Sequence, residues 1–130
     1  MQKDLAIKLK EEFPILFGNL IYNFECCDGW YDIIYRMAKE LVATSEGDRL
    51  QVVQLKEKFA TLRVYTNNYS SEVNTIIKKY EEESSHTCEI CGTKENVEIK
   101  GNAWIRTLCT SCHLAREKDY SLGWHEPPEK

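Results

Sequence analysis

Cys88-Glu89-Ile90-Cys91 and Cys109-Thr110-Ser111-Cys112 are two Cys-x-x-Cys pairs separated by 17 residues, Gly92 to Leu108. A two-residue knuckle turns the chain back on itself, so both sulfurs of a pair can reach one tetrahedral ion. The gap fits the zinc-site template of two such pairs about 15–20 residues apart. Four thiolates make the closed, structural kind of site, with no position left for a catalytic water. Gly92 follows the first pair directly and suits a tight knuckle that needs a positive φ. Disulfides and a redox Cys-x-x-Cys compete for the same cysteines. Disulfides need an oxidising compartment, and Met1-Gln2-Lys3-Asp4 lacks the apolar core of an export signal. A redox motif sits near a βαβ pattern, and none surrounds either pair. The spacing therefore predicts one structural Zn²⁺ held by Cys88, Cys91, Cys109 and Cys112.

Between the pairs, Val97-Glu98-Ile99 and Ala103-Trp104-Ile105 flank Lys100-Gly101-Asn102, which reads as a short hairpin with a Gly-Asn turn. Thr110 and Ser111 can cap a last helix through Leu114, Ala115 and Lys118. Knuckle, hairpin, then a cysteine pair at a helix N-terminus is the order of a treble-clef finger. Without the last helix a zinc ribbon remains. Helix N-terminal N–H groups would stabilise the thiolates of Cys109 and Cys112.

Upstream, Leu5, Leu9, Phe13 and Leu16 recur at near-helical spacing, and Pro14 breaks that helix or starts a second piece. Asp28 is placed to cap a helix running from about Gly29 to Ala43, with Trp30, Ile33, Ile34, Met37 and Leu41 on one face. Leu50 to Thr66 reads as a β-hairpin, with Leu55 expected opposite Leu62 and Val53 opposite Val64. Its turn, Glu57-Lys58-Phe59-Ala60, lacks the usual Asn-Gly or Asp-Gly. Ser70 or Ser71 can cap a third helix whose stripe is Val73, Ile76, Ile77 and Tyr80. Glu81-Glu82-Glu83-Ser84-Ser85 then reads as a solvated helix end and a hinge. The expected fold is α+β: helices and a β-hairpin in residues 1–85, then a treble-clef or ribbon-like zinc module and tail in residues 86–130. With 130 residues and 42% apolar content, neither part has a large core alone, so the module is expected to pack on the main domain.

The formal charge is −4, to which four thiolates around one Zn²⁺ would add about −2. Non-specific nucleic-acid affinity comes mainly from neutralising phosphates, so this charge disfavours it. No apolar run approaches the roughly 20 residues of a membrane span. Six cysteines without an export signal point to a reducing cytoplasm.

Three motifs together carry a family resemblance. They are Glu25-Cys26-Cys27-Asp28-Gly29-Trp30, Lys56-Glu57-Lys58-Phe59-Ala60-Thr61-Leu62-Arg63-Val64-Tyr65, and Cys88-Glu89-Ile90-Cys91-Gly92 with Trp104-Ile105-Arg106-Thr107-Leu108-Cys109. The chain resembles a family of small proteins found mostly in tailed bacteriophages and prophages, over about Phe24 to Cys112. That family carries no settled biochemical activity, so the resemblance implies a source, and with it a host bacterial cytoplasm, more than a function. Cys27 and Ala60 stand where the family usually has Gly. A His can serve as its last ligand, which makes His113 a rival to Cys112.

The solvent face expected for the hairpin carries Lys56, Arg63 and Tyr65, with Lys58 and Phe59 at the adjoining turn. Cations beside stacking surfaces suit a phosphate-bearing planar ligand or an unpaired base. Asp28 and Trp30 form a second candidate corner, and Trp104 and Arg106 would extend the surface from the zinc hairpin. The bland alternatives are a solvated sheet face, a cap, a core aromatic and domain packing. His86, His113 and His125 have no obvious carboxylate orienter, so nucleophilic catalysis is not expected. These readings favour a non-enzymatic binding protein, one that counters a host defence by sequestering a nucleotide-like signal or a host protein. A nucleic-acid-binding zinc-ribbon adaptor is the alternative, and a zinc-dependent hydrolase comes third because four cysteines leave no open coordination position.

Overall fold

The first apolar stripe folds into α1 (Lys3–Glu12) and a single turn, α2 (Pro14–Phe17), with Leu9, Phe13, Leu16 and Phe17 buried. Pro14 opens α2, where its missing N–H costs nothing. The computed structural model describes residues 1–101 and 105–121, with side chains through Arg116. A 3-10 turn, Asp28–Trp30, leads into α3 (Tyr31–Val42), which buries Ile33, Ile34, Met37 and Leu41. In α4 (Ser71–Ser84), Val73, Ile77 and Tyr80 face the same core, and the Ser70 hydroxyl accepts the Val73 N–H at 3.3 Å.

These helices pack with a three-stranded sheet, β1 (Phe24–Glu25), β2 (Val52–Lys58) and β3 (Thr61–Thr66), in the order β1-β2-β3. The short β1 runs parallel to β2, and β3 is antiparallel to it. The hairpin register differs from the sequence expectation. Leu55 pairs with Val64 and Glu57 with Leu62, because the loop is only Phe59-Ala60. Both residues have positive φ, 52° and 70°, as a type I′ turn requires. Without Asn or Gly, that conformation is held from outside. The Ala60 N–H donates to Glu57 Oε2 at 2.9 Å, and the Thr107 hydroxyl donates to the Ala60 carbonyl at 2.5 Å. A bulge between Val52 and Gln54 turns Val52, not Val53, into the core.

The acidic end of α4 is solvated at Glu82, but its neighbours are engaged. Ser84 Oγ accepts the Leu62 N–H at 2.9 Å and Glu81 Oε2 accepts the Val64 N–H at 3.0 Å. Both bonds satisfy outward N–H groups of the edge strand β3, which closes that edge to another chain. Burial pushes the Glu81 pKa up, against the Val64 N–H. Glu83 bonds both Arg36 on α3 and Lys94 beyond the first cysteine pair.

The C-terminal part contains β4 (Val97–Lys100), β5 (Arg106–Cys109) and α5 (Thr110–Ser121). The strands are antiparallel, with Val97 opposite Cys109. Among the described residues the second strand runs from Arg106, and the expected Ala103 and Trp104 lie outside them. This part has its own buried cluster of Cys88, Leu108 and Cys109, separate from the main core.

The joint between the two parts is polar. Arg106 is 1% exposed and its Nη1 lies 2.7 Å from Oε1 of Glu89, itself 0% exposed. Glu57, on the inward face of β2, sits 3.9 Å from the same nitrogen. Burial opposes the charge on Arg106, but Glu89 and then Glu57 outweigh it, and its pKa is raised. The other Glu89 oxygen accepts the Cys27 N–H at 3.1 Å. The Gly29 N–H donates to the Glu89 carbonyl at 2.7 Å, and the Trp30 indole donates to the Thr87 carbonyl at 2.9 Å. A Cβ on Gly29 would lie 2.3 Å from the Cys88 carbonyl oxygen, so only glycine permits this approach.

Replacing Arg106 with Met should cost about 3–5 kcal/mol, because it strands the Glu89 carboxylate in the joint. Urea unfolding of the metal-loaded protein measures this. The double variant Glu89→Gln with Arg106→Met should recover much of the loss, and a single-variant loss under about 1 kcal/mol would refute the role. A second outcome concerns pH. The Arg36 bond to Glu83, opposed by burial and aided by Lys94, lowers its pKa to about 2 from the usual 4.5. A lowered carboxylate stabilises the fold above its unfolded pKa, and this stability is lost as pH falls towards about 2. Urea midpoints across pH 7 to 2 should show Glu83→Gln weaker at neutral pH and less acid-sensitive. Thiolate protonation affects both proteins, so their difference is the readout.

Candidate metal centre and outer sheet face

The cysteine ligands arise from both ends of the C-terminal part. Cys88 and Cys91 lie on a knuckle where the Gly92 N–H donates to the Cys88 carbonyl and the Cys88 N–H to the Thr93 carbonyl, each at 2.9 Å. Gly92 adopts φ +82° there. Cys109 ends β5 and Cys112 lies in the first turn of α5. The four sulfurs lie within 4.8 Å of one another, and Cys91 Sγ to Cys109 Sγ is 3.8 Å. A regular tetrahedron with metal–sulfur bonds of ~2.3 Å has edges of about 3.8 Å, so the set is the right size for one ion. The cluster can hold a metal ion with four sulfur donors; His113 is not among the grouped ligands.

The thiols resist joint ionisation without a cation. Burial first, then the neighbouring sulfurs, push Cys91 and Cys112 up. Cys109 is lowered, chiefly by the Cys112 N–H, which donates to its sulfur at 3.4 Å from the start of α5. A bound dication reverses the repulsion and takes up the thiolates directly. Cys26 and Cys27 are buried in the main domain and lie outside the cluster.

The second candidate is the solvent face of the three-stranded sheet. Lys56 lies directly across from Arg63, and Gln54 from Tyr65. Gln54 Nε2 donates to Glu25 Oε1 at 3.3 Å, so Glu25 shares this face. The Lys56 ammonium stands 5.9 Å from the centre of the Tyr65 ring, and the Lys58 ammonium 5.6 Å from that of Phe59, a residue 70% exposed. Among the described residues no carboxylate lies within 4.0 Å of Lys56, Lys58 or Arg63. Like charges directly opposite on a sheet are destabilising; Glu25, in register with Lys56 on β1, and Glu81, which acts through space on Arg63, offset this without direct contact.

The structure brings Lys56, Lys58, Phe59, Arg63 and Tyr65 together and removes other candidates. Arg106 is buried against Glu89, and Trp30 is buried against Thr87, so neither offers a surface to a ligand. Asp28 does not cap α3. Its Oδ1 accepts the Gln2 N–H at 2.7 Å, at the start of α1. Trp104 falls outside the described residues. A cleft of about 460 Å³ does open beside Asp28, lined by Asp32, Arg36, Cys91 and Lys94. Its two cations are both committed to Glu83. Sequence reasoning missed Glu89, whose signal is absent from the knuckle spacing. It also missed Glu57, whose signal is a charge at an inward strand position.

Comparison with known proteins finds no matching family model, no matching curated protein and no matching solved structure. No helix among the described residues is long and apolar enough to cross a membrane.

Elemental analysis should return one metal ion per chain. Cys88→Ser or Cys109→Ser should lose the ion and unfold the C-terminal part, because a structural metal supplies much of a small module's folding energy. Cys26→Ser and Cys27→Ser should keep it. A folded, metal-free protein with all cysteines reduced would overturn the assignment.

Proposed function

We propose that the chain is a non-enzymatic, zinc-stabilised binding protein that sequesters a small anionic aromatic ligand on its outer sheet face. The observation that carries the reading is the cross-strand pair of Lys56 and Arg63, with no carboxylate within 4.0 Å of either among the described residues and with Tyr65 beside it. An anion placed between them offsets the repulsion of two aligned cations. The aromatic ring beside them adds a stacking surface.

The metal module supports this face and does not perform chemistry of its own. Four sulfur donors in a tetrahedral set favour zinc, which here supplies a cross-link between the knuckle and the start of α5. Knuckle, β4–β5 hairpin and a cysteine pair running into α5 follow the order of a treble clef. Thr107 on this module bonds the hairpin turn that carries Lys58 and Phe59. Four cysteines fill the ion's positions, which is the reason for a non-enzymatic reading. The likeness to small phage and prophage proteins supports a counter-defence role in a bacterial cytoplasm, with a nucleotide-like signal as the sequestered ligand.

Elemental analysis tests for zinc. Native mass spectrometry of protein from defence-expressing cells tests for a co-purifying small molecule. A phage-defence assay on folded, zinc-loaded variants tests the face. Arg63→Ala and Lys56→Ala should each reduce activity at least about tenfold, equivalent to ~1.4 kcal/mol. Arg63→Lys should be nearly as harmful, because the planar fork is lost. Full activity in both alanine variants and in Arg63→Lys would remove this face.

A further inference from the structure

The hairpin face continues around the edge of the sheet into a groove between β3 and α4. The groove measures about 280 Å³, with Arg63 and Tyr65 on one wall, Lys78 on the other, and Tyr69 at the loop that joins them. Val64 and Ile77 contribute apolar surface. Tyr69 is 57% exposed.

Lys79, the neighbour of Lys78 on α4, is bonded to Glu40, and Arg36 on the adjacent α3 to Asp32 and Glu83. Arg63 and Lys78 have no carboxylate within 4.0 Å among the described residues. The acid that lies among them is Glu81, and its Oε2 is committed to the Val64 N–H. Glu81 therefore bonds the strand edge through this oxygen and acts on Arg63 and Lys78 only through space. The rim keeps two cations, and the walls two phenol rings.

We propose that this groove binds one small phosphorylated aromatic molecule, with Arg63 and Lys78 on the phosphate and Tyr65 and Tyr69 against the ring. The inference rests on the outer-face reading above and adds Lys78 and Tyr69 to it. Size selects a single unit. At about 280 Å³ the groove sits just under the roughly 300 Å³ at which small-molecule pockets start, so it takes at most one nucleotide, partly exposed, and not a strand. Arginine supplies the fork that matches phosphate oxygens, and lysine supplies a point charge from the opposite wall. Either tyrosine gives a flat face for stacking. Glu81 opposes the anion electrostatically, which fixes the sign of one variant's effect.

The test is isothermal titration of the metal-loaded full chain with adenosine 5′-monophosphate. Adenosine, inorganic phosphate and a ten-nucleotide oligothymidine serve as comparison probes. The monophosphate should bind at least tenfold tighter than adenosine or phosphate alone. Lys78→Ala and Tyr69→Ala should each weaken it by roughly fivefold or more, at unchanged metal content and unfolding midpoint. Glu81→Gln keeps an acceptor for the Val64 N–H and removes one negative charge, so it should tighten binding by roughly three- to tenfold. No monophosphate binding at millimolar concentration would overturn the groove as a site. So would a titration indifferent to Lys78→Ala and Tyr69→Ala. If Arg63→Ala and Lys56→Ala still abolish the defence phenotype in that case, the outer-face reading stands and the groove alone falls. Oligothymidine binding tighter than the monophosphate would replace the single-molecule ligand by a strand.

Discussion

The buried pair of Glu89 and Arg106 is the constraint on which the arrangement of the two parts depends. Both residues belong to the part that carries the cysteine cluster, yet the carboxylate reaches the Cys27 N–H and the guanidinium faces Glu57. A buried ion pair adds little net stability compared with apolar packing, but removing one partner is expensive. Its consequence here is orientation. The apolar cluster around Cys88, Leu108 and Cys109 is too small to dictate how that part sits on the main domain. Directed bonds at Glu89, Gly29, Trp30 and Thr107 do so instead.

The same joint explains a backbone conformation that the hairpin sequence does not favour. Phe59 and Ala60 hold positive φ without the usual Asn or Gly. For non-glycine residues this costs of order 1 kcal/mol or more each, and it persists only where the surroundings fix it. Glu57 holds the turn from the strand side and Thr107 from the cysteine-bearing part. Glu57 therefore serves two neighbours: the turn N–H and, more distantly, Arg106. The basic face and the cysteine-bearing part are joined through it, and Thr107, on β5 beside Cys109, ties down the turn that presents Lys58 and Phe59.

What the sequence reveals follows the range of the physics involved. The cysteine cluster was legible because its logic is local: two knuckles of fixed length and a gap of known size. The helical stripes of α1, α3 and α4 were legible for the same reason, as was the sidedness of the hairpin from Gln54 onward; the bulge that turns Val52 inward in place of Val53 was not. The register was not, because it depends on a two-residue turn enforced by Thr107, far along the chain. Asp28 looked like a cap because nothing local distinguishes a cap from a side chain that meets Gln2. Arg106 looked available for the same reason; its partner Glu89 sits inside a motif whose cysteines draw all the attention. The end of α4 read as solvated because three consecutive glutamates usually are, yet Glu81 and Glu83 face a strand edge and two cations.

These engaged carboxylates change the meaning of the net charge. The formal −4 counts every acid equally. Glu89, Glu57 and Glu81 are bound to backbone or guanidinium groups, and Glu83 and Glu40 neutralise cations of α3, α4 and the knuckle. Cations without such partners include Lys56, Lys58, Arg63 and Lys78 on the outer face and at its groove, besides Lys3, Lys8, Lys10 and Lys39 on α1 and α3. At physiological salt, fields are screened within about 8 Å, so a small ligand in the groove senses mainly Arg63, Lys78, Lys56 and Glu81. A long polyanion is different. It must extend past that radius, over a protein whose total charge opposes it. Net acidity combined with a local basic-aromatic surface therefore favours a short anion over a long one on this face.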